Sequence, residues 1–284
     1  MRPLFQNYLN LTKPRLTLMA VATASSGFYL GSRGPLVLGL LCHALIGAAL
    51  VGVGANALNQ YLEREADAKM DRTKARPLPT KKIAEKNALI FGLCTALGGA
   101  AYLSIFVNTL SAVLGLATLS CYLLLYTPLK QRTWLNTFIG AVSGALPTLI
   151  GWSAAAGQLE LRAFVLFFIL FFWQLPHFFA IAWVYRDDYK NGGFKMLPVT
   201  DTNGRRTGIQ MALFGILLFL TSLLPTFTGL AGLLYLSAAL FSGLLFLTLT
   251  LYTSTHKIIY AKPLVTASIF YLAVLNIFLW FDKI

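Results

Sequence analysis

The sequence predicts an all-α, polytopic membrane protein, with about nine transmembrane helices around a central cavity that opens to the inner face. Three observations predict it. Of 284 residues, 57% are hydrophobic and 12% charged, against about 25% charged in a soluble globule. Apolar runs long enough to cross a bilayer recur along the whole chain, and the mean hydropathy is +0.69. The breaks between them carry a net charge of +13, gathered almost wholly on alternate loops. A disordered chain and a water-soluble domain are both excluded, because too few charges remain to coat a water-facing surface.

A helix needs about 20 apolar residues to span the hydrocarbon. The runs fall at 16–31, 36–58, 87–107, 110–128, 134–156, 161–184, 207–227, 230–252 and 264–281. Gly31–Gly34 ends the first, and Asn108 parts the third from the fourth. Ala156–Glu160 ends the fifth, and Thr226–Gly229 ends the seventh. Pro147, Pro176 and Pro225 lie inside runs, where a helix tolerates them with a kink. With the N-terminus inside, Arg33, Arg162 and Lys283 alone fall outside, and the other 20 of the 23 Lys and Arg face the inner side. That split is the positive-inside signature. The inner segments 59–86 and 186–206 are long and polar, and each follows an even-numbered span, which hints at a weak internal duplication. Residues 1–284 read as one domain whose working loops are these two. No cleavable leader is expected, so the first span stays as an anchor.

Cys42, Cys94 and Cys121 lie in separate apolar runs without metal-ligand spacing and read as small core residues. His43 and His256 match no motif and read as structural.

The first polar constellation leaves the second span as Asn59-Gln60-Tyr61-Leu62-Glu63-Arg64-Glu65-Ala66-Asp67, and continues to Arg72, Lys74, Arg76 and Pro77-Leu78-Pro79. On a helix Asn59, Glu63 and Asp67 share one face, each about 6 Å beyond the last. Stacked carboxylates repel, and a hard divalent cation such as Mg²⁺ reverses that repulsion. A solvated helix end, balanced locally by Arg64, Lys69 and Arg72, is the competing reading. The basic residues that follow favour a metal-bridged anion such as diphosphate.

The second constellation is Trp173-Gln174-Leu175-Pro176-His177-Phe178, followed by Arg186-Asp187-Asp188-Tyr189-Lys190-Asn191-Gly192-Gly193. If the helix persists, His177 and Asp188 share a face about 16 Å apart. A satisfied core histidine and a solvated helix end are the competing readings.

Taken together, Asn59-x3-Glu63-x3-Asp67-x4-Arg72-Thr73-x2-Arg76-Pro77-Leu78-Pro79 resembles the first aspartate-rich motif of the intramembrane aromatic prenyltransferase (UbiA-type) superfamily. Glutamates stand at 63 and 65 where many relatives have aspartate. The string around Trp173–Phe178 and Arg186–Met196 is similar to the heme-farnesylating branch, and Asp187-Asp188-Tyr189 stands in place of a second DxxxD motif. Leu11–Arg15 and Tyr126-x3-Lys130 also resemble superfamily segments, so the likeness runs from about residue 8 to 281.

The resemblance implies nine helices, Mg²⁺ as cofactor, and farnesyl diphosphate and heme B as substrates. Asn59, Glu63, Asp67, Arg72 and His177 are then the catalytic candidates. Arg76, Tyr126, Lys130, Trp173, Asp187, Asp188 and Lys190 are the substrate-binding ones, with Glu63, Asp67 and Asp188 on the metal and His177 orienting or ligating heme. Phe172, Trp173 and Phe178 would line an apolar cavity for the chain. The lipid bilayer is a partner and nucleic acid is not. The family's pathway adds heme A synthase or oxidase assembly proteins, in a cell inner membrane with the N-terminus cytoplasmic.

Two other readings differ by single features. Prenylation of an aromatic acid or quinone precursor would use the same diphosphate site, and Trp173–His177 argue against it. A transporter would carry ionisable groups near the midplane, whereas the first, third, seventh and eighth runs contain no Lys, Arg, Asp or Glu. A membrane assembly factor would leave the acid-and-base cluster without a purpose.

Overall fold

A computed structural model describes residues 2–255 and 260–284; His256 and Lys257 lie outside the described residues. The chain is helical nearly throughout, and among the described residues the sole β-type pairing is an isolated bridge between Ala231 and Lys283.

A short helix α1 (Arg2–Leu11) precedes α2 (Pro14–Gly31), α3 (Leu38–Asp67), α4 (Glu85–Phe106) and α5 (Thr109–Leu129). Then follow α6 (Asn136–Ala156), α7 (Leu161–Val184), two short inner helices α8 (Arg186–Asn191) and α9 (Leu197–Thr200), and α10 (Arg205–Phe227), α11 (Leu233–Thr255) and α12 (Ala261–Phe281). Among the described residues eight helices, α3 to α7 and α10 to α12, are long and apolar enough to cross a membrane. The remaining long helix, α2, is the more polar, with Thr17, Thr23, Ser25 and Ser26 along it. This is a multi-pass membrane protein.

Side chains follow the lipid logic. Leu124, Phe241 and Phe281 are 71%, 71% and 83% exposed on the outer faces, where hydrocarbon rather than water meets them. Cys42 and Cys94 are exposed too and Cys121 is half-buried, which corrects their reading as core residues. An apolar residue in a membrane helix has two apolar places to go, so hydrophobicity alone does not turn it inward. His43 takes its expected structural place: its Nδ1 lies 2.7 Å from Tyr102 Oη, and its ring stacks on Phe106.

The most buried span is α6, which packs against α2, α3, α5 and α7. Its contact with α2 is close because both helices present glycine. A Cβ on Gly151 would collide with the Ala24 carbonyl oxygen, and one on Gly27 with that of Thr148. Small residues at such crossings let backbones approach, which is where helix association in lipid draws its packing energy. This crossing fixes α2, and so fixes Lys13 at its inner end.

Candidate active site

The site is built on the inner end of α3. Asn59, Glu63 and Asp67 stack on one face as the i, i+4, i+8 spacing predicts, and all three are buried, at 0%, 5% and 0% exposure. Glu65 points the other way and is exposed.

Each member of the stack meets a cation or polar group from elsewhere in the chain. Lys13 Nζ donates to Asn59 Oδ1 at 2.6 Å, Lys130 Nζ to Glu63 Oε1 at 2.6 Å, and Arg76 Nη1 to both oxygens of Asp67 at 2.8 and 2.7 Å. The local partners expected for a solvated helix end do not form. Arg64 turns to Glu85 at 3.0 Å, and Arg72 turns to the second inner loop. Buried carboxylates need such partners, since burial without them costs several kcal/mol.

The helix was expected to run on to Pro77-Leu78-Pro79 and instead stops at Asp67. Thr73 Oγ1 donates to the Asp67 carbonyl at 2.9 Å, and Met70 is buried with Phe194 and Met196. These contacts curl residues 68–76 back on the helix, and the curl returns Arg76 to the carboxylate nine residues before it.

Lys13 reaches the stack from an unusual backbone. Its φ of 47° and ψ of 65° are left-handed, a conformation that costs a non-glycine residue about 1 kcal/mol and that turns the chain sharply between α1 and α2. Burial and then the charge of Arg76 lower the Lys13 ammonium to about 7, against the pull of Glu63. For Lys130 burial also opposes the charge, but Glu63, and after it Tyr126 and Tyr122, hold the ammonium above its ordinary range. Its Nζ lies 4.3 Å from the centre of the Tyr126 ring, which pairs the two residues as their spacing suggested.

Lys130 is aimed by a π-helical turn, Cys121–Tyr126, within α5. The Thr127 amide donates to the Tyr122 carbonyl, five residues back. Pro128 has no N–H to give the carbonyl four residues before it, and its ring crowds that position, so a wider turn relieves both. Thr127 Oγ1 also donates to the Tyr122 carbonyl at 2.8 Å and accepts from Asn59 Nδ2 at 3.1 Å. Sequence reasoning did not put Lys13 or Thr127 in the site. The signal for Thr127 was the Thr-Pro step directly after Tyr126.

The second constellation divides. His177 is buried, with Nδ1 2.6 Å from Ser268 Oγ and its ring stacked on Trp173, whose Nε1 donates to the Ser268 carbonyl at 2.6 Å. Trp173 also lines a cavity of about 710 Å³ between α2 and α12, along with Met19, Ser26, Tyr29, Asn276 and Trp280. Phe172 packs on Phe214 and Phe178 beside His177. The helix does not persist to Asp188, because Tyr185 breaks it between α7 and α8. Asp187 and Lys190 are exposed, Asp187 with Arg186 at 3.9 Å. Asp188 accepts the main-chain amides of Asp71 and Arg72 at 3.0 and 3.2 Å.

Among the described residues no three His, Cys, Asp or Glu side chains converge as a metal set. The α3 stack still fits a hard cation in kind: two carboxylates and an amide oxygen on one wall, with the rest of an octahedral shell left to water and phosphate oxygens. The basic residues opposite are where such a phosphate would be met. The arrangement suits a metal-bridged diphosphate held at the inner end of a membrane helix bundle.

Known proteins give the same picture. A relative from Solibacter usitatus named protoheme IX farnesyltransferase is 41% identical over 98% of this chain and 99% of its own. One of the same name from Koribacter versatilis is 42% identical over 99% and 94%. Among solved structures, that of a digeranylgeranylglyceryl phosphate synthase superposes with a TM-score of 0.83 at 17% identity over 99% of this chain and 98% of its own. A UbiA homologue from Archaeoglobus fulgidus bound to DMAPP and Mg²⁺ superposes with a TM-score of 0.70 at 15% identity over 96% and 99%. A profile of the UbiA prenyltransferase family matches residues 20–281, from within α2 to the last turn of α12, and so takes in the helices that carry the buried stack and its partners: the chain belongs to the UbiA prenyltransferase family.

Proposed function

We propose that this protein transfers the farnesyl group of farnesyl diphosphate to a vinyl group of heme B, giving heme O and diphosphate. The observation that carries the reading is the buried stack of Asn59, Glu63 and Asp67 facing Lys13, Arg76 and Lys130. The acceptor follows from the relatives' name and from the Trp173–His177 string they prompt.

Mg²⁺ bound by Glu63 and Asp67, with Asn59 beside them, would supply positive charge to the leaving diphosphate. Arg76, Lys130 and Lys13 take up the rest of that charge as the C–O bond of the allylic diphosphate breaks. In the substrate-free chain these cations already neutralise the carboxylates, so the site exchanges partners on binding instead of desolvating bare charges. The farnesyl cation is attacked by the vinyl carbon, and water adds to the cation that results. Apolar walls such as Trp173 keep water from the first cation. His177 holds the acceptor: Ser268 occupies Nδ1, and Nε2 is left for iron.

The domain is the whole chain, with residues 59–86 and 186–206 as its working loops. Nine helices, including α2, cross a cell inner membrane with the N-terminus in the cytoplasm, where the charge asymmetry puts it. In membranes supplied with heme B, farnesyl diphosphate and Mg²⁺, Asp67→Ala abolishes heme O formation as read by mass. Near-normal heme O from that variant would refute the assignment.

A further inference from the structure

The two long inner loops are joined at one aspartate. Asp188, in α8, accepts the Asp71 amide on Oδ1 at 3.0 Å and the Arg72 amide on Oδ2 at 3.2 Å, across more than a hundred residues of sequence. The Arg72 guanidinium lies 5.0 Å from the ring centre of Tyr185 and 5.4 Å from that of Tyr189, whose hydroxyl it reaches at 3.3 Å. Below this contact Met70 is buried beside Phe194 and Met196, and a Cβ on Gly192 would come 2.9 Å from the Met70 sulfur. The same loop grips α5 on its other side, where the Lys195 amide donates to the Lys130 carbonyl at 2.6 Å. Residues 185–196 therefore hold both segments that send a cation to the carboxylate stack.

We propose that Asp188 is a positioning residue: through the amides of Asp71 and Arg72 it holds the 68–76 curl that returns Arg76 to Asp67, and it is not a ligand of the cation. Both of its oxygens are spent on main-chain donors. It does not join Glu63 and Asp67 in a convergent acidic set, since none exists among the described residues. The charge suits the task, because an ionised acceptor holds an amide about twice as strongly as a neutral one. Asp187, its neighbour, faces solvent and makes no such link to the first loop. The inference rests on the diphosphate-site reading for what Arg76 does once placed, and not for the contact itself.

The test compares the full chain with Asp188→Ala and Asp188→Asn in detergent by three readouts: trypsin cleavage after Arg72 and Lys74, KM for farnesyl diphosphate, and the Mg²⁺ concentration giving half-maximal rate. Loss of two charge-assisted bonds should speed cleavage about tenfold in Asp188→Ala and raise KM about tenfold. Asp188→Asn, which keeps one acceptor, should fall between. The Mg²⁺ requirement should stay within about twofold, since no ligand is removed. A shift of about tenfold or more in Mg²⁺ requirement with cleavage unchanged would make Asp188 a ligand and overturn the proposal. No change in any readout would overturn it equally. Should Asp188→Ala fail to accumulate, Asp188→Asn decides on the same criteria. If the unsubstituted chain turns over no farnesyl diphosphate, the proposed function fails, while the cleavage comparison still decides the role of Asp188.

Discussion

Asp67, wholly buried at the last residue of α3, receives one guanidinium nitrogen of Arg76 on both carboxylate oxygens, at 2.8 and 2.7 Å. The pair closes the curl of residues 68–76 and at the same time faces an acid with a base where a metal-bound diphosphate would lie.

Removing that base isolates a buried carboxylate. Arg76→Ala should lower kcat/KM by about 100-fold and cost about 3 kcal/mol of stability. Arg76→Lys should recover part of the stability but little of the rate, because an ammonium lacks the guanidinium's fixed fork of donors. Steady-state kinetics and thermal unfolding on the same membranes or detergent preparations check both.

Glu63 and Lys130 should behave as a unit. Glu63→Gln and Lys130→Met each leave a buried partner charge, at about 3 kcal/mol apiece. The double substitution removes both charges and should cost less than the sum, with a coupling of about 1–3 kcal/mol. Prenyl transfer should fail in all three. Strict additivity in a thermal double-mutant cycle would show that the 2.6 Å contact carries no coupling.

How much of this could be read in advance varies residue by residue. Asn59, Glu63 and Asp67 were legible because helical periodicity fixes their common face, and no tertiary information is needed to place them. Lys13 and Lys130 were not legible as partners. They lie 46 and 67 residues away along the chain, and the crossing of α2 on α6 and the π turn of α5 decide where they point. The end of α3 was misplaced because Arg72, Lys74 and Ala75 are all acceptable in a helix, while the force that breaks it is Met70 burying itself against a loop 124 residues on. The cysteines were misplaced because inward and apolar are not synonyms in lipid.

Chelation should separate chemistry from folding. Glu63 and Asp67 keep Lys130 and Arg76 as partners without metal, so excess EDTA should stop prenyl transfer yet leave the melting temperature within about 2 °C. Mg²⁺ together with diphosphate should raise the melting temperature, and either alone should do less. A fold that collapses on chelation would show that the metal is structural.

The α2–α6 crossing should tolerate little change. Gly151→Val places side-chain atoms where the Ala24 carbonyl already lies, and should destabilise the protein by at least about 2 kcal/mol. Because α2 carries Lys13 to the stack, a folded fraction of this variant should also show a raised KM for farnesyl diphosphate. The same substitution at Gly98, which has nothing within 4 Å of its Cβ position, serves as the control and should change neither quantity.

The π turn at Cys121–Tyr126 has a bearing on how the site is inherited. A helix that holds one residue more than α geometry needs is swung by about 100° at every position beyond it. The meeting of Lys130 with Glu63 is thus written in a residue count as well as in residue identities. A chain shortened by one position between Cys121 and Tyr126 would keep every side chain of the stack and its partners and still turn Lys130 away from Glu63. Relatives that share each catalytic letter but differ in length there are therefore not equivalent, and insertions and deletions inside this span deserve the same weight as substitutions of the acids themselves.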